Sequence, residues 1–132
     1  MTSSSGRILA DTHTLVWYLA ESPKLSAKAD QLLQDAESGL LELVVPTIVL
    51  AEAMRVVERR NPGLSMEELF AGLSRFERAN VVSLDMTILQ AVLALPPSIE
   101  MHDRIIAATA QVYGATLISK DRQLGTVVET VW

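Results

Sequence analysis

Residues 7–12 read Arg-Ile-Leu-Ala-Asp-Thr, a short apolar run that ends abruptly at an acid. An unbroken apolar run of this length predicts a buried strand, here Arg7 to Ala10. Asp11 then stands at the carboxyl end of that strand. In open α/β sheets, ligands bind at the edge formed by the carboxyl ends of the strands. This stretch therefore predicts both the start of a parallel sheet and the first residue of a site.

Further apolar runs alternate with helical patterns along the rest of the chain. The other predicted strands are Leu43 to Val45, Val81 to Leu84, Ala115 to Ser119 and Val127 to Trp132. The first two predicted helices are Leu15 to Ala20 and Leu25 to Ala36. A third is capped by Thr47 and runs to Arg60, and a fourth begins at the capping-box pattern of Ser65 and runs to about Ala79. A fifth is capped by Asp85 and runs to Leu95, and a sixth begins at Asp103 and ends at Gly114. This alternation predicts an α/β protein with a central, mostly parallel sheet of about 4–5 strands and helices on both faces.

The composition indicates a single soluble domain. We place it at residues 7–132, after a polar tail, residues 1–6, that we expect to be flexible. No stretch approaches the roughly 20 apolar residues that span a bilayer, so no membrane association is expected. The chain has no cysteine. Disulfide scaffolds, thiolate zinc sites and thiol nucleophiles are thereby excluded, and a reducing cytoplasm is the expected compartment.

The net charge limits how this chain could bind nucleic acid. With 16 acidic and 11 basic residues, the formal net charge is -5 at pH 7. A protein with a net negative charge does not hold a phosphate backbone by its own positive charge alone. Either nucleic acid is not the ligand, or bound cations supplement the positive charge of the protein.

Four acids fall where the predicted topology would gather them: Asp11, Glu52, Asp103 and Asp121. Two follow strands, and the other two lie near the starts of helices that adjoin the same edge of the sheet. Two unit charges about 5 Å apart repel by roughly 3 kcal/mol at an effective dielectric of 20, so such a cluster calls for a cation. Oxygen ligands suit Mg²⁺ or Mn²⁺, and the chain offers neither cysteine nor a paired-histidine motif for zinc.

Each of these acids also has a purely structural explanation. Asp11 could be a turn or cap residue, and Asp121 a solvated turn residue. Glu52 could form an ion pair with Arg55 in its own helix, and Asp103 could simply complement a helix dipole. Their joint occurrence, in this order along the chain, favours a shared site.

In chain order, these residues resemble the motifs of the PIN-domain family, and most of all those of its VapC-type toxins. The matching stretches are Asp11-Thr12-His13 with Trp17, Leu25-Ser26-x-x-Ala29, Ala51-Glu52, Asp103 to Ala110, Ile118 to Asp121, and Trp132. The resemblance covers residues 7 to 132, with the order and spacing intact. It implies a three-layer PIN-like fold and a Mg²⁺-dependent endoribonuclease that is commonly a homodimer and is held inactive by a VapB-like antitoxin.

The resemblance also assigns roles by position. Asp11, Glu52 and Asp103 would be the core metal ligands, and Asp121 would complete the surroundings of the metal. Candidate contacts to the RNA phosphate are Arg104, Lys120, Arg122 and the hydroxyl of Ser119. One departure is Glu100-Met101, where family members often carry Asp-Pro before the helix acid. Glu100 keeps the charge, and the entrance loop is expected to differ in shape.

Other residues receive weaker assignments. Arg55 and Arg59 lie on the same helical face as Glu52, where they would either guide an RNA backbone or form a salt-bridged face with Glu58. The aromatic residues Trp17, Tyr18 and Trp132 are interpreted as core or partner-facing and receive no catalytic role. An antitoxin helix would need an apolar groove, which we place around residues 65 to 95, although that surface could also serve a dimer.

Three alternative functions were weighed against the nuclease. A receiver domain that accepts a phosphoryl group would want paired acids after the first strand, and Asp11-Thr12 provides no pair. A haloacid-dehalogenase-like phosphatase would want a second Asp two residues after Asp11, where His13 stands instead. A catalytically inactive PIN scaffold, acting as a binding or assembly module, would not need the four acids.

Overall fold

A computed structural model describes residues 6–132, so residues 1–5 of the predicted tail lie outside the described residues. Within that range, five strands form one sheet: β1 (Arg7–Ala10), β2 (Glu42–Pro46), β3 (Ala79–Val82), β4 (Thr116–Ile118) and β5 (Thr130–Val131). Their order is β3-β2-β1-β4-β5, and every neighbouring pair is parallel. The predicted parallel α/β sheet is confirmed.

Six α-helices connect these strands in the described part of the chain. They are α1 (Thr12–Leu19), α2 (Ala27–Glu37), α3 (Thr47–Arg60), α4 (Met66–Leu73), α5 (Met86–Val92) and α6 (Met101–Tyr113). A 3-10 turn covers Leu124–Thr126. None of the helices within residues 6–132 has the length and hydropathy of a membrane span.

The central position of β1 in the sheet explains why a candidate functional site lies at its carboxyl end. β1 pairs with β2 on one side and with β4 on the other, with Leu9 opposite both Val44 and Leu117. Consecutive β1 residues Ile8, Leu9 and Ala10 are all buried. Because successive side chains point to opposite faces of a sheet, helices must cover both faces here. The carboxyl end of β1 therefore opens at the middle of the sheet edge, between covering layers.

Several helix boundaries follow from side-chain caps. Ser65 and Glu68 form the predicted capping box, with Ser65 Oγ accepting from Glu68 N at 3.0 Å and Glu68 Oε1 accepting from Ser65 N at 2.9 Å. Asp85 Oδ1 accepts from Ile88 N at 3.0 Å, so it caps α5 as predicted. Gly114 ends α6 at φ 63°, a left-handed conformation that favours glycine.

Two predicted helix starts were wrong because acids earlier in the sequence act as caps. α1 begins at Thr12 rather than Leu15, since the Asp11 carboxylate accepts from Thr14 N at 3.0 Å. α6 is opened by Glu100 rather than Asp103, since the Glu100 carboxylate accepts from His102 N at 2.8 Å. Asp103 therefore lies within the first turn of α6.

Other boundaries were wrong as well. β3 covers Ala79–Val82 rather than Val81 to Leu84, and α5 ends at Val92 rather than Leu95. Thr47 is the first residue of α3 and not its cap, because Pro46, the last residue of β2, occupies the N-cap position without a side-chain bond. α4 ends at Leu73 instead of about Ala79, because the segment that follows is drawn into the sheet beside β2, where Leu43 N donates to Arg78 O at 3.0 Å. Of the predicted last strand, Val127 to Trp132, only β5 pairs with the sheet.

Candidate active site

The fold places the four predicted acids around the carboxyl end of the sheet. Asp11 follows β1 and caps α1, while Asp121 lies three positions after β4, the strand beside β1. Glu52 lies in the second turn of α3, which follows β2. Asp103 lies in the first turn of α6. Each acid thus reaches the same edge from a different element.

Three of these acids line one cavity, which we call the acidic cavity. It measures about 290 Å³, and its walls include Asp11, Glu52 and Asp103. Three arginines of α3 also line it: Arg55, Arg59 and Arg60. Within residues 6–132, none of these arginines forms an ion pair with a carboxylate. The alternative in which Arg55 neutralises Glu52 is therefore not what the structure shows.

A second cavity, which we call the lysine groove, adjoins the first. It measures about 640 Å³ and shares Asp11, Asp103 and Arg60 with the acidic cavity. It also contains Asp121, together with the side chains of Trp17, Lys24 and Lys120. The fourth acid therefore lies on the far side of Asp11 and Asp103 from Glu52.

The electrostatics of Asp103 show that the four acids act on one another. Partial burial raises the pKa of Asp103 above its ordinary value, and the neighbouring charges of Asp121, Glu100, Glu52 and Asp11 raise it further. Like charges disfavour ionisation in this way only when they are close or poorly screened. The four acids therefore influence one another through their charges.

Both oxygens of Asp11 are held by the protein. Oδ1 accepts from Thr14 N at 3.0 Å, and Oδ2 accepts from the Ser119 hydroxyl at 2.5 Å. The same Ser119 oxygen accepts from Asp121 N at 3.1 Å. Ser119 is buried, so this hydroxyl ties the end of β1 to the turn after β4 without competition from water.

Glu52 is held in the same manner by two residues that sequence reasoning did not assign. The Thr12 hydroxyl donates to Glu52 Oε1 at 2.9 Å, and His102 Nδ1 lies 3.0 Å from Glu52 Oε2. His102 also lies 3.3 Å from Glu100 Oε1. The signal was present at the Glu100-Met101 departure, because the acid there both caps α6 and steadies the histidine that reaches Glu52.

These contacts bear on whether the site fits a metal ion. Among residues 6–132, no three histidine, aspartate or glutamate side chains already stand as a group that could hold one. Asp11 and Glu52 each have two protein partners. To bind an ion, each carboxylate would have to release one of these partners or share an oxygen between the partner and the ion. The donor set nevertheless consists of oxygens with excess negative charge, which is the chemistry that a hard divalent cation requires.

The predicted phosphate contacts separate into two groups. Lys120 lines the lysine groove. Arg104 and Arg122 line neither cavity, and Arg104 Nε is buried without a hydrogen-bond partner. Arg55 and Arg59, the other candidates for an RNA backbone, line the acidic cavity, and the structure adds Arg60 and Lys24. Lys24 was missed because it lies in the turn between α1 and α2, far along the chain from every acid except Asp11.

Comparisons with known proteins agree with this geometry. The model of the PIN domain family matches residues 8–129. Ribonuclease VapC22 of Mycobacterium tuberculosis is 31% identical to the chain over 119 residues, which are 89% of this chain and 88% of that protein.

Solved structures share the fold. The complex VapBC2 from Rickettsia felis, bound to a DNA fragment from its promoter, contains a chain that matches with a TM-score of 0.71 at 17% identity, covering 95% of this chain and 97% of that one. A toxin-antitoxin complex from Klebsiella pneumoniae matches with a TM-score of 0.69 at 20% identity, covering 95% and 96%.

Proposed function

The chain belongs to the PIN-domain family, and from that premise we propose that it is a metal-dependent endoribonuclease, the VapC-type toxin of a toxin-antitoxin pair. The observation that carries the proposal is the meeting of Asp11, Glu52 and Asp103 in one cavity, with Asp121 lining the adjoining one. Burial raises the pKa of Asp103, and neighbouring acids, the other three among them, raise it further. The relative with 31% identity is named a ribonuclease, which supports the same activity.

In this proposal the acids bind Mg²⁺, or Mn²⁺ in its place. Asp11, Glu52 and Asp103 would hold the ion, and Asp121 would complete its surroundings directly or through water. A divalent ion supplies the positive charge that lets an acidic pocket accept a phosphodiester and that activates water for its hydrolysis. Ser119 orients Asp11, while Thr12 and His102 orient Glu52. Such supporting contacts fix ligands in their productive orientation.

The proposed contacts to the RNA substrate are the arginine side chains near the site that have no carboxylate partner. Arg55, Arg59 and Arg60 line the acidic cavity without carboxylate partners in the described part of the chain. On a protein of net charge -5, three arginines in one cavity are a local concentration of positive charge beside the acids. Guanidinium groups bind phosphate oxygens in paired hydrogen bonds. We assign these arginines to the RNA backbone on the side of the site formed by α3.

One observation favours a second candidate, a PIN scaffold without catalysis. The oxygens of Asp11 and Glu52 are already satisfied by protein donors, so the site is stable without an ion. Cleavage of RNA by the purified protein separates the two candidates. We expect cleavage with Mg²⁺ or Mn²⁺ and none with EDTA.

The test variant is Asp103→Asn, because the Asp103 side chain donates or accepts no hydrogen bond that supports the described fold. Cleavage should fall by about 100-fold or more, since the charge stabilisation lost is worth several kcal/mol. The matched control is Asp35→Asn, an exposed acid on α2 whose carboxylate contacts Gln31. Activity that survives in EDTA or in Asp103→Asn would reject the metal-dependent nuclease and leave the scaffold.

We also propose an antitoxin partner for this chain, because solved structures of the same fold are toxin-antitoxin complexes. The segment 65–95 exposes large apolar side chains: Phe70, Val81, Leu84, Met86, Leu89 and Leu93. Met86, Leu89 and Leu93 share a face of α5 by their spacing. This face is the surface we assign to an apolar helix of the antitoxin.

The assignment is tested with a co-expressed cognate antitoxin. Leu93→Glu should abolish co-purification, because it places a charge where 84% of an apolar side chain is exposed. The control is Leu40→Glu, where 72% of an apolar side chain is exposed outside this segment. If Leu93→Glu instead leaves the antitoxin bound and converts a dimer of the toxin alone into a monomer, the face serves a second copy of the chain.

A further inference from the structure

The lysine groove has a floor made by one aromatic ring. Lys24 Nζ and Lys120 Nζ each lie 5.9 Å from the centre of the Trp17 ring. Lys24 comes from the turn between α1 and α2, and Lys120 comes from the turn after β4, so the fold joins cations from opposite ends of the chain. Attraction between an ammonium group and the face of a tryptophan holds cations at this distance.

The Trp17 ring is itself fixed by neighbours. Its centre lies 5.6 Å from that of His13 and 6.0 Å from that of Trp132, the latter in an edge-on arrangement. Contacts of this kind favour particular ring orientations. Trp17 is therefore a rigid support for the two ammonium groups, and their position on it is set before any ligand binds.

Neither lysine has a negative partner. In the part of the chain that the structure describes, the arginines in ion pairs are Arg7, Arg75 and Arg78, and neither Lys24 nor Lys120 lies within 4.0 Å of a carboxylate oxygen. Both nevertheless share one cavity with Asp11, Asp103 and Asp121. Cations held unpaired beside a carboxylate site, on an acidic protein, are arranged for an anion that arrives with the substrate.

Two of the three arginines line a different cavity from the two lysines, and Arg60 lines both cavities. Arg55 and Arg59 line the acidic cavity and not the lysine groove, while Lys24 and Lys120 line the groove and not the acidic cavity. Asp11 and Asp103 belong to both. An extended strand that passes over Asp11 and Asp103 would thus meet positive charge before and after the reacting phosphate.

We propose that Trp17, Lys24 and Lys120 form a phosphate subsite that binds the RNA phosphate adjacent to the one cleaved, on the side away from Arg55 and Arg59. The inference rests on the proposed nuclease function and adds a second phosphate-binding position for the RNA substrate. Lysine binds phosphate as a point charge, without the paired geometry of arginine. The subsite therefore raises affinity for RNA irrespective of base sequence, and Trp17 acts as a positioning residue.

The test compares the double variant Lys24→Gln/Lys120→Gln with the wild-type full chain. Binding of a fluorescent single-stranded RNA is measured by anisotropy over a range of salt in EDTA, where the RNA is not cleaved. Cleavage of the same RNA is followed separately in Mg²⁺. Each phosphate of a single strand that the protein neutralises contributes about 0.7 to the slope of log affinity against log salt. Because the two lysines share one phosphate, the slope should fall by about 0.7. KM should rise while kcat is retained.

The matched control is Lys28→Gln, which removes the same charge from an exposed lysine on α2 that lines neither the acidic cavity nor the lysine groove. Its slope and KM should equal those of the wild type. Trp17→Leu should weaken RNA binding although both lysines remain. Because Trp17 is partly buried, the melting temperature of Trp17→Leu is first compared with that of the wild type. If Trp17→Leu does not fold, the double variant of the two exposed lysines is sufficient for the test.

The outcomes separate the subsite from the nuclease. An unchanged slope and KM in the double lysine variant would overturn the subsite, while cleavage by the wild type would keep the nuclease. A lowered slope without cleavage by the wild type would support the subsite and reject the nuclease. If the double variant binds RNA normally but loses a co-expressed antitoxin, the lysines belong to a protein partner and the subsite is rejected.

Discussion

The hydroxyl of Ser119 donates a 2.5 Å hydrogen bond to the Oδ2 of Asp11, although 108 positions separate the two residues. The contact exists because β1 and β4 are neighbours in the sheet, with Ala10 paired to Ile118. It holds the first acid of the site from the strand beside it. The orientation of Asp11 therefore depends on the neighbouring strand as well as on the local cap bond from Thr14 N.

Removing this hydroxyl should damage activity more than it damages folding. Ser119→Ala leaves one oxygen of Asp11 without its donor, and we expect a loss of 10- to 100-fold in metal affinity or cleavage rate, as is typical for contacts that support metal ligands. The free energy of unfolding should fall by about 1.5–3 kcal/mol, since the bond is to a charged group. RNA cleavage at varied Mg²⁺ and chemical denaturation measure the two effects.

The control for that prediction is Ser38→Ala, in which an exposed hydroxyl that donates to Asp35 O is removed away from the site. Its cleavage rate should match the wild type. Equal activity of Ser119→Ala and Ser38→Ala would mean that Asp11 needs no support from β4.

The hydroxyl of Thr12 should matter for the orientation of Glu52. Thr12→Val keeps the shape of the side chain but removes the donor of the 2.9 Å bond to Glu52 Oε1, so cleavage should fall by about tenfold or more. Thr12→Ser restores the donor and should recover most of the rate. The cleavage rates of the two variants are compared at saturating RNA. Equal rates in both would show that His102 alone is sufficient to orient Glu52.

The metal-free protein should become more stable when Asp103 is neutralised. Its pKa is raised in the folded state, chiefly by burial and then by Asp121. A raised pKa stabilises the fold at low pH, and that stabilisation is lost as the pH rises through the folded-state value. At pH 7 in EDTA, Asp103→Asn should therefore melt at a higher temperature than the wild type.

The sign of this effect should reverse with metal. Acidification toward the ordinary pKa of Asp103 should close the gap between the two proteins, and Mg²⁺ should stabilise the wild type alone, by about 2.7 kcal/mol at 100 times its dissociation constant. Thermal melting in EDTA and in Mg²⁺ checks both. A wild type that is equally stable in EDTA and in Mg²⁺ would contradict metal binding at this site.

Tyr18 should titrate later than an exposed tyrosine. Burial, and then its hydrogen bond to the Glu37 carboxylate, raise the pKa of Tyr18 above its ordinary value of 10.0. Because the neutral phenol is favoured in the folded state, the stability it contributes is present below pH 10.0 and is lost as the pH rises above that value. Alkaline melting curves should show this loss, and Tyr18→Phe should abolish it.

Absorbance of tyrosinate measures the same group directly. The titration step of Tyr18 is the one that Tyr18→Phe should remove from the absorbance curve of the wild type. RNA cleavage should be unaffected, since Tyr18 lines neither the acidic cavity nor the lysine groove. A single step near the ordinary value in the wild type would show that the Glu37 contact does not persist in solution.

Much of the fold could be predicted from short stretches of sequence. The run before Asp11 predicted β1 with its correct bounds, and the pattern at Ser65 predicted a capping box that the structure contains. Both signals lie within a few residues of the feature they specify. The end of α4 was missed because its helical period continues past Leu73, while pairing with β2 draws the following residues into the sheet.

The sequence by itself determined the kinds of groups at the site: four acids, no cysteine, and the strands and helices that carry them. Only the tertiary structure decided which groups hold those acids and where free positive charge faces them. Ser119 reaches Asp11, His102 reaches Glu52, and Lys24 and Lys120 meet on Trp17, each across a long span of chain. Caps and periodicity are local, whereas these contacts depend on strand order and helix packing, which no short stretch of sequence encodes.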